Sequence, residues 1–483
     1  MKKINLLIIM FLTVSMLSAS VAKTVTATVA GTLSSLMTID ESTTVTDLTV
    51  TGPIDAQDFK FMRDKLTVLA NIDLSGASIA AYSGTNGPLP ASTDYPANTV
   101  PNSAFLIGTQ LVTTPGKASL ISVVLPNSII AIADKAFNKC LNLTTLNIPS
   151  SVMTIGAMCF QNCQSLASVT LPSNLVIIQN NTFQNCFKLT SMVIPTSVTT
   201  INGSAFIGCT GLTSFVMPST VTSIGAALFS GCTNLKTAVM SSVLTTSGNS
   251  TFLNCTSLTS VTLPSYITLI DQYSFRNCTA ITSFVIPSTV TTLGNSCFLG
   301  CTALLSIEIP SSVTTMSLGL FMGCSSLATL TFQENTSTIA SIGGNQSYQD
   351  CGGLKEIYLN RKSVPSCQAS FFQNVVVGNV KLYVPAASLA LYQADPFWKT
   401  FQSISSISTT EVNTVKGDDF KVYPSQSGLM VNSTVTNELI EVYSTLGVRV
   451  ASARSQIGSN TIVVPKRNIY IVRMGGKTNK VIL

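Results

Sequence analysis

Phe160–Ile178 reads FQNCQSLASVTLPSNLVII, and Phe183–Ile201, 23 residues on, reads FQNCFKLTSMVIPTSVTTI. The shared frame is Phe, Cys three places later, Leu, a Val or Met, an aliphatic residue followed by Pro, and a last Leu/Val and Ile. Outward from these two copies the step of 23 holds without slippage from Phe137 to Phe321, from Cys140 to Cys324, and from Pro126 to Pro310 except where Ser241 stands in for Pro. A fixed period of this length marks a solenoid, in which each coil buries its core only against its neighbours.

Within a unit, Leu143, Leu146 and Ile148 are spaced as inward residues of a strand. Pro149 ends that strand because it has no N–H to donate. Val152 and Ile155 turn inward again on a second extended segment, and the Ala136-Phe137 pair closes the coil. A buried large side chain contributes about 1.5–3 kcal/mol, so the array is stable in sum although no coil is stable alone. The coil after Cys232 is expected to be the weakest, since Ser241 replaces Pro and Ser247 replaces the inward Ile.

The wording F-x-x-C-x-x-L-x-x-V-x-L-P-x-x-L-x-x-I resembles the BspA-like (treponemal-type) leucine-rich repeat of bacterial surface proteins. It covers about half of the chain. After the strand the commoner leucine-rich repeat has an Asn/Cys ladder, where this chain has Ser151, Asn174, Ser197 and Thr220. The resemblance implies display at a cell surface and adhesion to host proteins or other cells.

The rest of the chain starts, stops, exports or anchors this array. Residues 1–22 open with Lys2 and Lys3, continue through an apolar run from Leu6 to Leu17, and end in small residues, as an export signal does. Residues 23–117 read as an N-terminal capping region. There Val45-x-x-Leu48-x-Val50 and Leu69-x-x-Ile72-x-Leu74 are strands around a helix carrying Phe59, Met62 and Leu66. Ala80–Asn98 is a Gly/Pro/Ser/Thr-rich insertion, and Ala104-Phe105 a degenerate first coil. Residues 118–332 are the regular repeats. Residues 333–404 hold irregular repeats, with strand echoes at Ile357-x-Leu359 and Leu382-x-Val384, and then an aromatic cap over Ser388–Phe401 that includes Trp398. Residues 405–418 read as a linker.

Residues 419–483 read as a β-sandwich of seven short strands: Phe420–Tyr423, Leu429–Asn432, Leu439–Tyr443, Arg449–Ala453, Thr461–Val464, Ile469–Met474 and Val481–Leu483. The order KVYP (Lys421–Pro424), IEVYSTLGVRV (Ile440–Val450), NIYIVRM (Asn468–Met474) and KVIL (Lys480–Leu483) resembles the C-terminal sorting domain of the type IX secretion system. It departs from that pattern at Ser425-Gln426, where Asn-Pro is usual, and before Tyr470, where a Gly is usual. The fold expected for the whole chain is therefore mainly β: a leucine-rich repeat solenoid of 23-residue units with an α/β N-terminal cap and a C-terminal β-sandwich.

Composition limits the chemistry. The chain is 46% hydrophobic and 10% charged and has no His, which excludes Ser-His-Asp and Cys-His catalysis and any His-ligated metal. Asp134, Asp271 and Glu308 lie in units too far apart for a carboxylate dyad. The eight charged residues between Ala118 and Phe332 do not cluster by sign, so a nucleic-acid groove has no electrostatic support. No catalytic residue, metal site or cofactor is expected. Beyond the export signal no segment is long and apolar enough to span a bilayer, and the chain is read as a monomer.

Two features invite a site. Neighbouring cysteines of the Cys column would lie roughly 4.8 Å apart, inside the disulfide window of about 4.4–6.8 Å. Buried reduced thiols, some inter-coil disulfides, and metal binding at Cys159/Cys163 or Cys297/Cys301 all stay open. The outward strand face carries Thr145, Ser168, Ser191, Ser214, Thr237, Ser260, Ser283, Ser306 and Thr329 in one column. Beside it run Asn147, Thr170, Val193, Val216, Val239, Thr262, Val285, Glu308 and Thr331. Small β-formers suit any solvent-facing sheet; the alternative is a flat docking face for an extracellular protein or glycan. The Val residues and Glu308 break the regular Thr array an ice-binding surface needs. Protein adhesion, glycan binding and a passive surface-layer role are the three functional classes left, with specificity expected where the pattern breaks: Ala80–Asn98, Ser241–Ser247 and Glu334–Asp350.

Overall fold

The computed structural model of the chain describes residues 20–89, 92–107, 115–334, 341–407 and 420–482, apart from 426–427, 434–435, 445–448, 463, 465–468 and 475–476. The stretch read as an export signal lies outside these residues except for its last three. Most of the 405–418 stretch and residues 335–340 of Glu334–Asp350 also lie outside them. Two compact units result, Met1–Ser405 and Ser406–Leu483.

The first unit begins one strand earlier than the sequence spacing suggests. β1 (Ala22–Thr26) runs parallel to β2 (Asp47–Ile54), with Val25 opposite Val50. α1 (Ile39–Thr44) precedes β2; α2 (Ala56–Asp64) follows it and leads to β3 (Asn71–Asp73), the expected strand–helix–strand entry. α2 starts at Asp55, whose carboxylate accepts from the Gln57 amide, and Asp58 answers back to the Asp55 amide. Phe59 and Met62, one turn apart, face the core and are fully buried. Two charges that the sequence does not single out are buried here. The Arg63 guanidinium grips Asp64 and donates to the carbonyls of Pro88, Ser103 and Leu106, tying the 80–98 insertion to the degenerate coil. Lys117 Nζ donates to Leu66 O at 2.6 Å, and burial pulls its pKa down to about 8.

From Ser122 on, each coil lays its strand parallel to the one before. Ser122–Val124 continues the sheet of β1–β3 and pairs with Thr145–Asn147; Ser214–Val216, Thr237–Val239 and Ser260–Thr262 form a second ladder. A third runs through Ser283–Phe284, Ser306–Ile309, Thr329–Phe332, Glu356–Leu359, Lys381–Val384 and Ser403–Ser406. Its last strand has no counterpart among the sequence echoes. The second extended segment of each coil stacks in shorter ladders, such as Ile177–Ile178, Thr200–Ile201 and Ser223–Ile224.

Inside, the Phe column is a continuous stack. From Phe105 through Phe137 to Phe321, successive rings lie 5.4–5.7 Å apart and within 24° of parallel. Such pairs add about 0.5–1.5 kcal/mol each beyond the area they bury. Tyr348 takes the place of Phe in the irregular coil, 6.0 Å from Phe321, its hydroxyl bonded to Ile342 O. The stack then passes to Phe372 and closes on Phe397 and Phe401. Trp398 and Tyr392 are fully buried beside it, with Trp398 Nε1 donating to Pro365 O, so the aromatic cluster seals the core end as expected.

The turn into each Phe needs two left-handed residues four apart. One column opens with Lys139 and then holds only Asn and Gly, the residues that tolerate positive φ best: Asn162, Asn185, Gly208, Gly231, Asn254, Asn277, Gly300 and Gly323. The other is less adapted: Met158, Ala227 and Tyr273 sit at φ +56 to +57°.

The coil after Cys232 carries the anomalies. Ser241 Oγ and Thr251 Oγ1 are buried without a hydrogen-bond partner. Ser247 is repaired by a second change: its hydroxyl meets Ser274 Oγ at 2.7 Å and accepts from the Asp271 amide.

The second unit is a seven-stranded antiparallel sandwich. One sheet holds Phe420–Ser425, Gly428–Ser433 and Gly458–Ile462; the other holds Arg449–Arg454, Leu439–Ser444, Ile469–Met474 and Lys477–Ile482. Its core includes Phe420, Leu429, Val431, Ile440, Val442, Val472 and Met474. The fifth and seventh strands begin earlier than their hydrophobic runs, because polar residues such as Ser459 and Asn479 complete the pairing.

Candidate binding surface

The cysteine column resolves first. In each coil the thiol donates to the carbonyl of the previous coil's Phe: Cys163 to Phe137, Cys186 to Phe160, Cys209 to Phe183, and so on to Cys351 and Phe321, at 3.0–3.2 Å. The same carbonyl accepts the amide of its own coil's Cys, as Phe160 O does from Cys163 N. A small apolar residue with one weak donor fits that position. Burial pushes the thiols of Cys140, Cys209, Cys255 and Cys351 up to about 12, which holds them protonated and unreactive. Cys159 and Cys297 occupy the inward column that Ala136 and Ala205 hold elsewhere, so their closeness in sequence to Cys163 and Cys301 reflects two packing columns. No group of three or more potential metal ligands stands together among the described residues.

The Ser/Thr column lies on one face, as the spacing predicts. Thr145, Ser168, Ser191, Ser214, Thr237, Ser260 and Ser283 are exposed, while Ser306 and Thr329 are half-buried. Strand register places Ser214, Thr237 and Ser260 side by side, and likewise Ser283, Ser306 and Thr329. The column runs on past its sequence limits to Ser122 at one end and to Glu356 and Lys381 at the other. Ser168 and Ser191 stand outside the ladders. There the inter-coil bonds lengthen: Thr190 N to Ala167 O is 3.4 Å and Thr213 N to Thr190 O is 3.5 Å, against 2.9 Å for Lys236 N to Thr213 O.

The adjacent column is more apolar than its residue types suggest. Val193 and Val285 are each 85% exposed, Val216 62% and Val239 38%. Between the Cys column and the strand of the coils beginning at Cys186, Cys209 and Cys232, an open depression of about 350 Å³ is lined by Phe187, Lys188, Thr190, Thr210, Gly211 and Asn234. Phe187 is the one aromatic in a column that opens with Leu141 and is otherwise polar (Gln164, Thr210, Thr233, Thr256), a signal present in the sequence but masked by the regularity around it. At the C-terminal end the face changes character. Tyr358 stacks on Tyr383 at 4.6 Å, and its hydroxyl donates to Glu356; burial and that carboxylate push the Tyr358 pKa up to about 12.

Comparison with known proteins agrees with this architecture. The model of the BspA type leucine rich repeat region matches residues 116–236 and 268–393 in six copies. The break between the two matched stretches contains Ser241, Ser247 and Thr251. No curated protein matches the chain. Among solved structures, a leucine-rich repeat protein from Bacteroides ovatus is 23% identical over 59% of this chain and 92% of that one, with a TM-score of 0.43. A leucine rich cell surface protein from Faecalibacterium prausnitzii is 21% identical over 66% of this chain and 86% of its own, TM-score 0.37. The leucine rich repeat protein of T. pallidum is 28% identical over 38% and 78%, TM-score 0.29.

Proposed function

The chain belongs to the BspA-type leucine-rich repeat family, and from that membership we propose that it is exported, displayed at the cell surface, and acts by binding, through adhesion to host or neighbouring-cell proteins and without catalysis. The observation that carries the reading is the in-register outward face: a flat strip of Ser, Thr and Val crosses the coils in register, with two interruptions and few charges to restrict what docks. The C-terminal sandwich, by its resemblance to sorting domains of type IX secretion, supplies the route and the attachment.

A glycan ligand is the second reading. It is favoured by the stacked Tyr358–Tyr383 pair beside Glu356 and Lys381, where aromatic surface and hydrogen-bonding charges converge. An array of immobilised matrix proteins and glycans separates the readings. Adhesion predicts retention on proteins that is lost in Val216→Arg; the glycan reading predicts retention on sugars that is lost in Tyr383→Ala. Silence on both sets, with the protein abundant on cells, leaves a passive surface-layer role. Recovery of the full-length chain in the cytoplasm would overturn export.

A further inference from the structure

We infer that the strand face of the three coils beginning at Cys186, Cys209 and Cys232 docks an extended segment of a partner protein that carries carboxylates flanking aliphatic side chains. The inference rests on the binding role proposed above and gives it a place and a chemistry.

Four independent observations meet on these coils. From Gln164 to Ile307, the segments that run from the Cys column to the Pro column hold two charged residues, Lys188 and Lys236, and no acid. Both lysines are exposed, and neither forms an ion pair among the described residues. On the same three coils runs the outward valine column, Val193, Val216 and Val239, with Val216 and Val239 in direct register and both lysines on its Cys-column side. The same coils carry the depression lined by Phe187, Lys188, Thr190, Thr210, Gly211 and Asn234; at Gly211 the backbones of neighbouring coils come so close that a Cβ would stand 2.6 Å from Phe187 O. The ladder is also loosest here, at the 3.4 and 3.5 Å bonds of Thr190 and Thr213.

Charge complementarity selects the occupant. Two ammonium groups without an ion-pair partner among the described residues, both on one side of an apolar strip, favour carboxylates along that side and disfavour a basic segment. Lys188 and Lys236 lie two coil steps apart, roughly 10 Å along the axis at about 4.8 Å per step, in columns offset by two residues, and same-face side chains four residues apart on an extended chain span about 13 Å. The fitting face therefore alternates acid and aliphatic side chains, as a repeated acid-aliphatic-aliphatic-acid sequence presents on either side.

The test uses the full chain and dye-labelled peptides followed by fluorescence anisotropy. The probe repeats Glu-Val-Val-Glu; the controls repeat Lys-Val-Val-Lys and Glu-Ser-Ser-Glu. The probe is expected to bind, to weaken about tenfold in the Lys188→Glu/Lys236→Glu variant and at high salt, and to bind Lys399→Glu, an exposed lysine of the C-terminal cap, as it does the parent. The two controls are expected not to bind. Equal binding of all three peptides, no binding of the probe, or indifference to the lysine reversals overturns the assignment. If the probe fails while a matrix protein is still captured and lost in Val285→Arg, the face still binds and only this site and chemistry fall.

Discussion

Replacing Ser241 by proline is expected to stabilise the weakest coil of the solenoid. Eight equivalent positions from Pro126 to Pro310 already hold proline. The local turn is the same with Ser: the Ser241 carbonyl accepts from Leu244 N at 3.3 Å, as Pro218 O accepts from Val221 N and Pro264 O from Ile267 N. The Ser241 amide donates to no backbone carbonyl, so proline removes no bond there. It does remove a buried hydroxyl that has no partner, relieving about 1–3 kcal/mol. Lower entropy of the unfolded chain adds about 0.4–1 kcal/mol. The sum, about 1.4–4 kcal/mol, corresponds to roughly 10- to 700-fold slower local opening, since about 1.4 kcal/mol is a factor of ten. Solenoid coils do not always unfold together, so the assay is amide exchange by mass spectrometry on peptides spanning the Cys232–Cys255 coil rather than a single melting temperature. Ser241→Ala should reproduce the hydroxyl part of the gain and lack the entropic part. Unchanged or faster exchange in Ser241→Pro would refute the claim that this substitution weakens the coil.

Other outcomes follow from the columns. Ala227→Gly should stabilise by about 1 kcal/mol in denaturant titration, because Ala227 sits at φ +57° where a Cβ is strained; a loss of stability would contradict the left-handed turn. Thiol titration of the intact, unreduced protein should be slow when native, and should find most of the 13 cysteines free once denatured. Finding nearly all of them oxidised would sink the thiol–carbonyl ladder. Stability should be level below pH 9 and fall steeply above it. Burial raises the native thiol pKa to about 12 in Cys140, Cys209, Cys255 and Cys351, so the unfolded chain releases protons first and each thiol costs about 1.4 kcal/mol per pH unit up to that value. Lys117, pulled down to about 8 by burial, acts in the opposite sense but is a single group. Circular dichroism against pH checks this, and a chain that stays folded to pH 12 would contradict it. Trp398→Ala should cost about 3–5 kcal/mol, opening the C-terminal coils first, as exchange in the Glu356–Val384 peptides would report.

What could be read in advance was whatever a repeated environment demands at a fixed step. Phe137 and Phe298 occupy the same pocket, so the same residue returns and the column announces itself. Tyr348 escaped because its coil is longer and its hydroxyl finds Ile342 O, a partner no other coil offers. β1 escaped because a single strand following an apolar run has no period to betray it. Arg63 and Lys117 were illegible for a different reason: their burial depends on carbonyls contributed by segments far away in the chain. On the face, the outward direction of Val193 and Val239 followed from alternation. The difference between 85% and 38% exposure did not, since it depends on how neighbouring strands splay.

The stack of identical turns has one more consequence, for how such a chain changes over generations. Each Phe ring of the column stacks on its equivalents one step up and one step down, and each thiol donates to the Phe carbonyl one step back. Duplicating or deleting 23 residues between Phe137 and Phe321 therefore keeps the Phe and Cys columns in step, whereas any other length shifts all the columns at once; only coil-specific pairs such as Ser247–Ser274 are broken by a cut between them. The reach of the face, and the distance between features such as Lys188 and Lys236, can thus be reset in whole-coil increments by a single recombination event.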